Sequence, residues 1–223
     1  MSTILQQIDN AFITDLHIDE IGIIPKKQTK VDDTEAVDLI EHKLGISSWA
    51  LKPLFSHCLV EFFKIYHLVR NKNTELTNGR NPEVIKSITR SIMIVKGDMP
   101  LALSLRKELI ENGMITLDEE LNLMKLIFQL HPKSPSLWQH RRWCICYNFD
   151  GCTDKVHFED NQLQIELNLC SYLSDVYPKN YYSWVHRLWL LNYMDASQVN
   201  YVNFFIPYFH FNLFVIYNKL AFM

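Results

Sequence analysis

The chain is poor in residues that break helices: its 223 residues hold only 6 glycines and 8 prolines. With 48% hydrophobic residues, that leaves little room for a fold of many tight turns or for a disordered polymer, and it favours helices. There is no excess of one charge. The net charge is −3 and the Lys and Arg residues are dispersed, so no basic stripe points to nucleic acid or to an anionic membrane surface. Residues 1–19 lack a basic start followed by an apolar run, so no secretory signal is expected there. The five cysteines show no pairing pattern and read as reduced thiols of a cytosolic protein. A glycine-rich phosphate loop and a Gly-x-Ser-x-Gly elbow are both missing. Residues 201–223 are crowded with Phe and Tyr but broken by Asn203, Pro207, His210, Asn212, Asn218 and Lys219. A membrane span needs about 20 mostly apolar residues in a row, so this stretch is expected to be a divergent end rather than a span.

What the chain does contain is a copy of itself. Pro132, Lys133, Trp138, His140, Arg141 and Trp143 recur at the same offsets as Pro178, Lys179, Trp184, His186, Arg187 and Trp189. A weaker third copy lies upstream, with Pro100, Leu103 and Arg106 in the registers of Pro135, Trp138 and Arg141. The interval is 35 residues from Arg106 to Arg141 and 46 from Arg141 to Arg187. Periods of this size mark stacked helical hairpins. The longer second interval is read as a loop insertion over 148–160.

Each unit reads as two helices. Leu117, Leu121, Met124 and Phe128 fall at helical spacing behind a Thr116/Glu119 capping box, and Ser134 with Pro135 opens the partner helix. Leu163, Leu167, Cys170, Leu173 and Tyr177 form the next first helix, followed by Asn180 as the cap of a helix over 181–192. Upstream, Asn81-Pro82 begins a helix to about Lys96, and Pro100 begins another. Before that, 17–25 reads as an apolar turn, 35–44 as a helix and 48–71 as a longer helix. The expected organisation is an N-terminal helical segment over 1–80, three repeats over 81–194 and a divergent aromatic tail over 195–223. The expected fold class is all-α, a right-handed superhelix of antiparallel helical hairpins.

Trp138 and Arg141, like Trp184 and Arg187, are three residues apart and share a helix face, so each guanidinium is expected near an indole between hairpins. Their ordinary role is stacking, with the arginines bonding carbonyls of a neighbouring helix. Lys133 and Lys179 differ, because each sits in a turn just before a helix N-terminus, where exposed amides suit an anion. Plain solvation is the alternative for both. Cys144, Cys146, Cys152 and His157 make a poor zinc set, since the first two point to different sides of a helix. Asp118, Glu119 and Glu120 read as first-turn carboxylates favoured by the helix dipole, not as a catalytic pair.

The run Lys179-Asn180-Tyr181-Tyr182-Ser183-Trp184-Val185-His186-Arg187 resembles the repeat motif of the protein prenyltransferase alpha subunits, and Trp138-Gln139-His140-Arg141-Arg142-Trp143 matches its latter half. By motif the resemblance covers residues 81–194. Further upstream, His17 to Pro25, Glu41 to Gly45 and Leu105 to Ile110 look like one branch of that family.

The resemblance implies a crescent of hairpins wrapped around a beta subunit that holds zinc and most of the lipid pocket. No cofactor is then expected in this chain. It further implies that Lys133 and Lys179 act in catalysis on the prenyl diphosphate, and that Asn180 and Tyr181 join them in binding it. The substrate is a cysteine-containing protein, and the transferase is of the geranylgeranyl type with a cytoplasmic address. Trp138, His140, Arg141, Trp184, His186 and Arg187 are the structural signature. Two departures favour a non-catalytic helical scaffold instead. Ser134-Pro135 stands where the family's Asn-Tyr is expected, and no fourth repeat is visible.

Overall fold

The computed structural model describes residues 3–25, 35–71, 81–147 and 160–191. The insertion over 148–159, the tail over 195–223, and Cys152 and His157 lie outside the described residues. Within them are eight helices and three strands: α1 (Thr3–Thr14), β1 (Glu20–Ile24), β2 (Val37–Ile40), β3 (Lys43–Ser47), α2 (Ser48–Asn71), α3 (Pro82–Val95), α4 (Pro100–Glu111), α5 (Leu117–Leu130), α6 (Pro135–Tyr147), α7 (Asp160–Val176) and α8 (Tyr181–Leu191).

Helices α3 to α8 form the three expected hairpins, and local chemistry explains where each begins. The Asn81 side chain accepts from the Glu83 amide at 3.0 Å, with Pro82 opening α3. Thr116 accepts from the Glu119 amide at 3.2 Å at the start of α5, and Ser134 accepts from the Leu137 amide at 3.3 Å at the start of α6. Helix α4 ends in a Schellman turn. Met114 N–H reaches Leu109 O at 2.8 Å and Gly113 N–H reaches Ile110 O at 2.9 Å, with Gly113 at φ +69, a value that suits glycine. Asn180 departs from expectation. Its side chain donates to Pro132 O in the preceding hairpin, and its Oδ1 has no partner, so it does not cap α8.

The all-α expectation needs a correction at the N-terminal end. Residues 35–44 are not a helix, and 17–25 is more than a turn: a three-stranded sheet in the order β1-β3-β2 occupies this region, with β3 parallel to β1 and antiparallel to β2. The β2–β3 hairpin turns on Glu41 and His42, at φ 47 and 67. Both φ values are positive, the signature of a tight primed turn, which ordinarily selects Gly or Asn. The sheet is fastened to α5 by Gln129, which accepts from the Ile21 amide at 3.0 Å and donates to Asp19 O at 2.8 Å. Leu44 and Ile46 of β3 join Ile4, Leu5 and Ile8 of α1 in one core that continues through α2 to α6 as far as Leu173 of α7. A smaller cluster of Ile145, Leu163, Leu167 and Leu190 joins α6, α7 and α8. Among the described residues no helix is long and apolar enough to cross a membrane.

Candidate functional site

The conserved offsets within the chain build the same buried ion cluster twice. Arg106 on α4 donates through Nε to both oxygens of Glu120 on α5, each at 2.9 Å, and His140 Nε2 on α6 lies 2.7 Å from the same carboxylate. One hairpin later, Arg141 on α6 donates through Nε and Nη2 to Glu166 on α7 at 2.8 and 2.7 Å, and His186 Nε2 on α8 lies 3.1 Å from Glu166. The remaining guanidinium nitrogen reaches a backbone carbonyl on the first helix of its own hairpin, Lys86 O for Arg106 and Leu121 O for Arg141. Lys86 and Leu121 are again 35 residues apart. Every one of these arginines, histidines and glutamates is buried.

Burial alone would push the two glutamates toward neutrality. The adjacent guanidinium and the histidine hydrogen bond outweigh it and hold each carboxyl down to about 2, so both stay ionised. His186 moves the other way, its pKa lowered by burial despite Glu166. Arg142 Nε donates to His186 Nδ1 at 3.3 Å, so the neutral ring carries its proton on Nε2 and gives it to Glu166. Glu120 does sit in the first turn of α5, as read from the sequence, but it is buried there as the partner of Arg106 and His140. The signal that marks both glutamates is their spacing, since each lies 20 residues before its histidine.

The aromatic part of the signature is also shared between hairpins. Trp138 is 2% exposed and sits between Phe128 and His186, at ring-centre distances of 4.2 and 4.9 Å. Its indole donates to Pro132 O at 2.9 Å. Arg141 thus binds a carboxylate, and the expected guanidinium–indole contact occurs only in the second copy, where Arg187 lies 5.1 Å from the Trp184 ring centre. A different cation covers the second Trp of each unit: Lys107 stands over Trp143 and Arg142 over Trp189, one hairpin apart.

The turns between paired helices are tied together in register. His131 Nε2 bonds Ile94 O and Tyr177 Oη bonds Gln129 O; Ser134 Oγ donates to Gly97 O and Asn180 Nδ2 donates to Pro132 O. A methyl group on Gly97 would fall 2.7 Å from His131 Cβ, which shows how closely successive turns approach. This lacing sets the turn of Lys133 beside that of Lys179, and both lysines are exposed. Lys133 borders a shallow groove of about 530 Å³ with Lys96, Asp98, His131 and Tyr177, whereas Lys179 is not among its lining residues. Asp98 occupies the Lys133 register in the first turn. Tyr181 opens α8 half exposed, while Asn180 is fully buried with its amide committed to Pro132. Cys144 is buried and Cys146 partly exposed on α6, and among the described residues no three His, Cys, Asp or Glu side chains are grouped to hold a metal ion.

Residues 117–148 and 163–194, which span the α5–α6 and α7–α8 hairpins, match the family described as Protein prenyltransferase alpha subunit repeat. Both of these hairpins are thus similar in sequence to that repeat. The buried Arg–Glu–His arrangement also reaches upstream to the α3–α4 hairpin, whose Arg106 completes the first cluster. Over 142 residues the chain is 34% identical to Protein prenyltransferase alpha subunit repeat-containing protein 1 of Danio rerio and to that of Homo sapiens. The match covers 64% of this chain, and 31% of the Danio rerio and 33% of the Homo sapiens protein. The matched stretch is thus about a third of the length of these curated relatives.

Proposed function

We propose that this chain works as the alpha subunit of a heterodimeric protein prenyltransferase, of the geranylgeranyl type and cytoplasmic, with its hairpins continuing a right-handed superhelix around a beta subunit. The observation that supports this reading is the pair of exposed lysines, Lys133 and Lys179, in turns laced side by side ahead of α6 and α8. In the reaction a substrate cysteine sulfur bonds to the prenyl C1 while the C1–O bond breaks, and diphosphate leaves with the electron pair. Zinc, held by the beta subunit, would supply the activated thiolate. This chain's part is to neutralise the departing diphosphate through Lys133 and Lys179, with Tyr181 Oη as a donor and the α8 N-terminus behind them.

Asn180 enters this reading as the residue that positions the Lys179 turn, because its amide is spent on Pro132 and only its unpaired Oδ1 remains. A scaffold without catalysis is the second reading. It is favoured by Asp98 in the lysine register of the first turn and by Ser134-Pro135 in place of a tyrosine.

The two are separated by single-turnover transfer with saturating beta subunit. Lys133→Ala and Lys179→Ala are each expected to leave assembly intact and slow transfer by about 2 to 4 kcal/mol, roughly 30- to 1,000-fold. Arg141→Ala is expected to weaken folding or assembly before any kinetic effect appears. Transfer at the unaltered rate by both lysine variants would favour the scaffold.

A further inference from the structure

Lys133 and Lys179 each occupy the third position of a four-residue turn between paired helices. Ser134 N–H closes the first of these turns on His131 O at 3.2 Å, and Asn180 N–H closes the second on Tyr177 O at 2.9 Å. Proline holds the second position in both, where its ring presets φ. Neither lysine has a positive φ, so both turns are of type I rather than type II. The two types differ by a flip of the central peptide, the one that joins the proline to the lysine. At 132–133 that flip would force Lys133 to a positive φ and reverse the direction of its N–H.

What pins the Pro132–Lys133 peptide is its own oxygen. Pro132 O accepts from the Trp138 indole at 2.9 Å and from the Asn180 amide at 3.0 Å, which uses both of its lone pairs. Both donors are themselves held fast, since Trp138 is packed between Phe128 and His186 and Asn180 is fully buried. Because the peptide is trans, the Lys133 N–H points the opposite way from this oxygen, away from Trp138 and Asn180. The other turns are not held like this. Gly97 O takes Ser134 Oγ at a longer 3.4 Å, Leu103 in the Trp138 register has no donor, and the residue that follows Gly97 is Asp98. Among the described residues the Trp184 indole makes no such bond to Pro178 O.

We propose that Trp138 and Asn180 are positioning residues for Lys133, a role that rests on the alpha-subunit reading: by pinning the Pro132–Lys133 peptide they let Lys133 meet the departing diphosphate from one fixed turn. Asn180 directly follows Lys179 and Pro132 directly precedes Lys133, so the same bond also sets one lysine turn against the other.

The test compares Trp138→Phe and Asn180→Ala with Trp184→Phe in single-turnover transfer with saturating beta subunit and prenyl diphosphate. Trp138→Phe keeps a ring between Phe128 and His186 and deletes the indole N–H. It and Asn180→Ala are each expected to slow transfer by about 10-fold or more with assembly intact, whereas Trp184→Phe leaves the rate unaltered. In a Lys133→Ala chain the first two substitutions are expected to add no further slowing, because nothing is left for them to position. A merely structural role would slow both backgrounds alike, and that result would overturn the proposal. A second readout needs no reaction: the backbone amide resonance of Lys133 in the full chain carrying isotope-labelled lysine, identified by its loss in Lys133→Arg. It is expected to shift in Trp138→Phe and in Asn180→Ala but not in Trp184→Phe. An unmoved amide would overturn the positioning itself. Unaltered transfer by Lys133→Ala would remove Lys133 from the reaction, and the proposal with it. No transfer by the unaltered chain would sink the alpha-subunit reading instead, and the amide shifts alone would then decide whether Trp138 and Asn180 position Lys133.

Discussion

Glu166→Ala and Glu120→Ala are each expected to cost about 3 to 5 kcal/mol, because each removes the one carboxylate that neutralises a buried arginine and leaves a buried histidine without its acceptor. For a chain of this length that corresponds to a fall in melting temperature of roughly 6 to 20 °C. Combining Glu166→Ala with Arg141→Met should recover much of the loss, since the stranded charge goes with its partner. The same glutamates make stability depend on acid. Their folded pKa of about 2 lies below the ordinary carboxylate value of 4.5, so their contribution is fully present above pH 4.5 and is lost as pH falls from there toward 2. Urea midpoints between pH 7 and pH 2 check this. The unaltered chain should weaken steeply below pH 4.5, and the Glu120→Ala, Glu166→Ala double variant should weaken far less. Equal slopes would show that other groups govern acid stability.

Trp138→Ala should cost about 3 to 5 kcal/mol, as expected for a large aromatic lost from a close-packed site. Its indole is enclosed by Phe128 and His186 and bonded to Pro132 O, so the loss removes packing between two hairpins and a turn contact together. Trp184→Ala should cost clearly less, since Trp184 is only partly buried and is faced by the Arg187 guanidinium instead. Comparing the two thermal melts checks this. Equal losses would mean that the α8 end is packed as tightly as the middle of the array.

The hairpins were legible in the sequence because period, cap and breaker agree at each start, as at Asn81-Pro82, Thr116 and Ser134-Pro135. The sheet was not. Its strands are short, and its turn uses Glu41 and His42 at positive φ, where glycine or asparagine would have announced a hairpin. Val37 to Ile40 is also never more than partly buried, which blurs the alternation that marks a strand.

The signature tryptophans and arginines were visible by repetition, but their partners were not. Glu120 sits among Asp118 and Glu119 and looks like any first-turn acid, and the longer second interval hides its kinship with Glu166. Only the shared 20-residue distance to His140 and His186 relates them. Asn180 was read from the local motif as a cap, whereas a carbonyl 48 residues away claims its amide. Contacts between hairpins decided these roles, and no local pattern encodes them.

The most direct test of the alpha-subunit reading is reconstitution. The full chain is mixed with a prenyltransferase beta subunit and zinc, and transfer of a labelled geranylgeranyl group to a cysteine-tailed acceptor is followed with either component omitted in turn. The account predicts transfer only when both chains are present; stable assembly without transfer, or transfer by this chain alone, would contradict it.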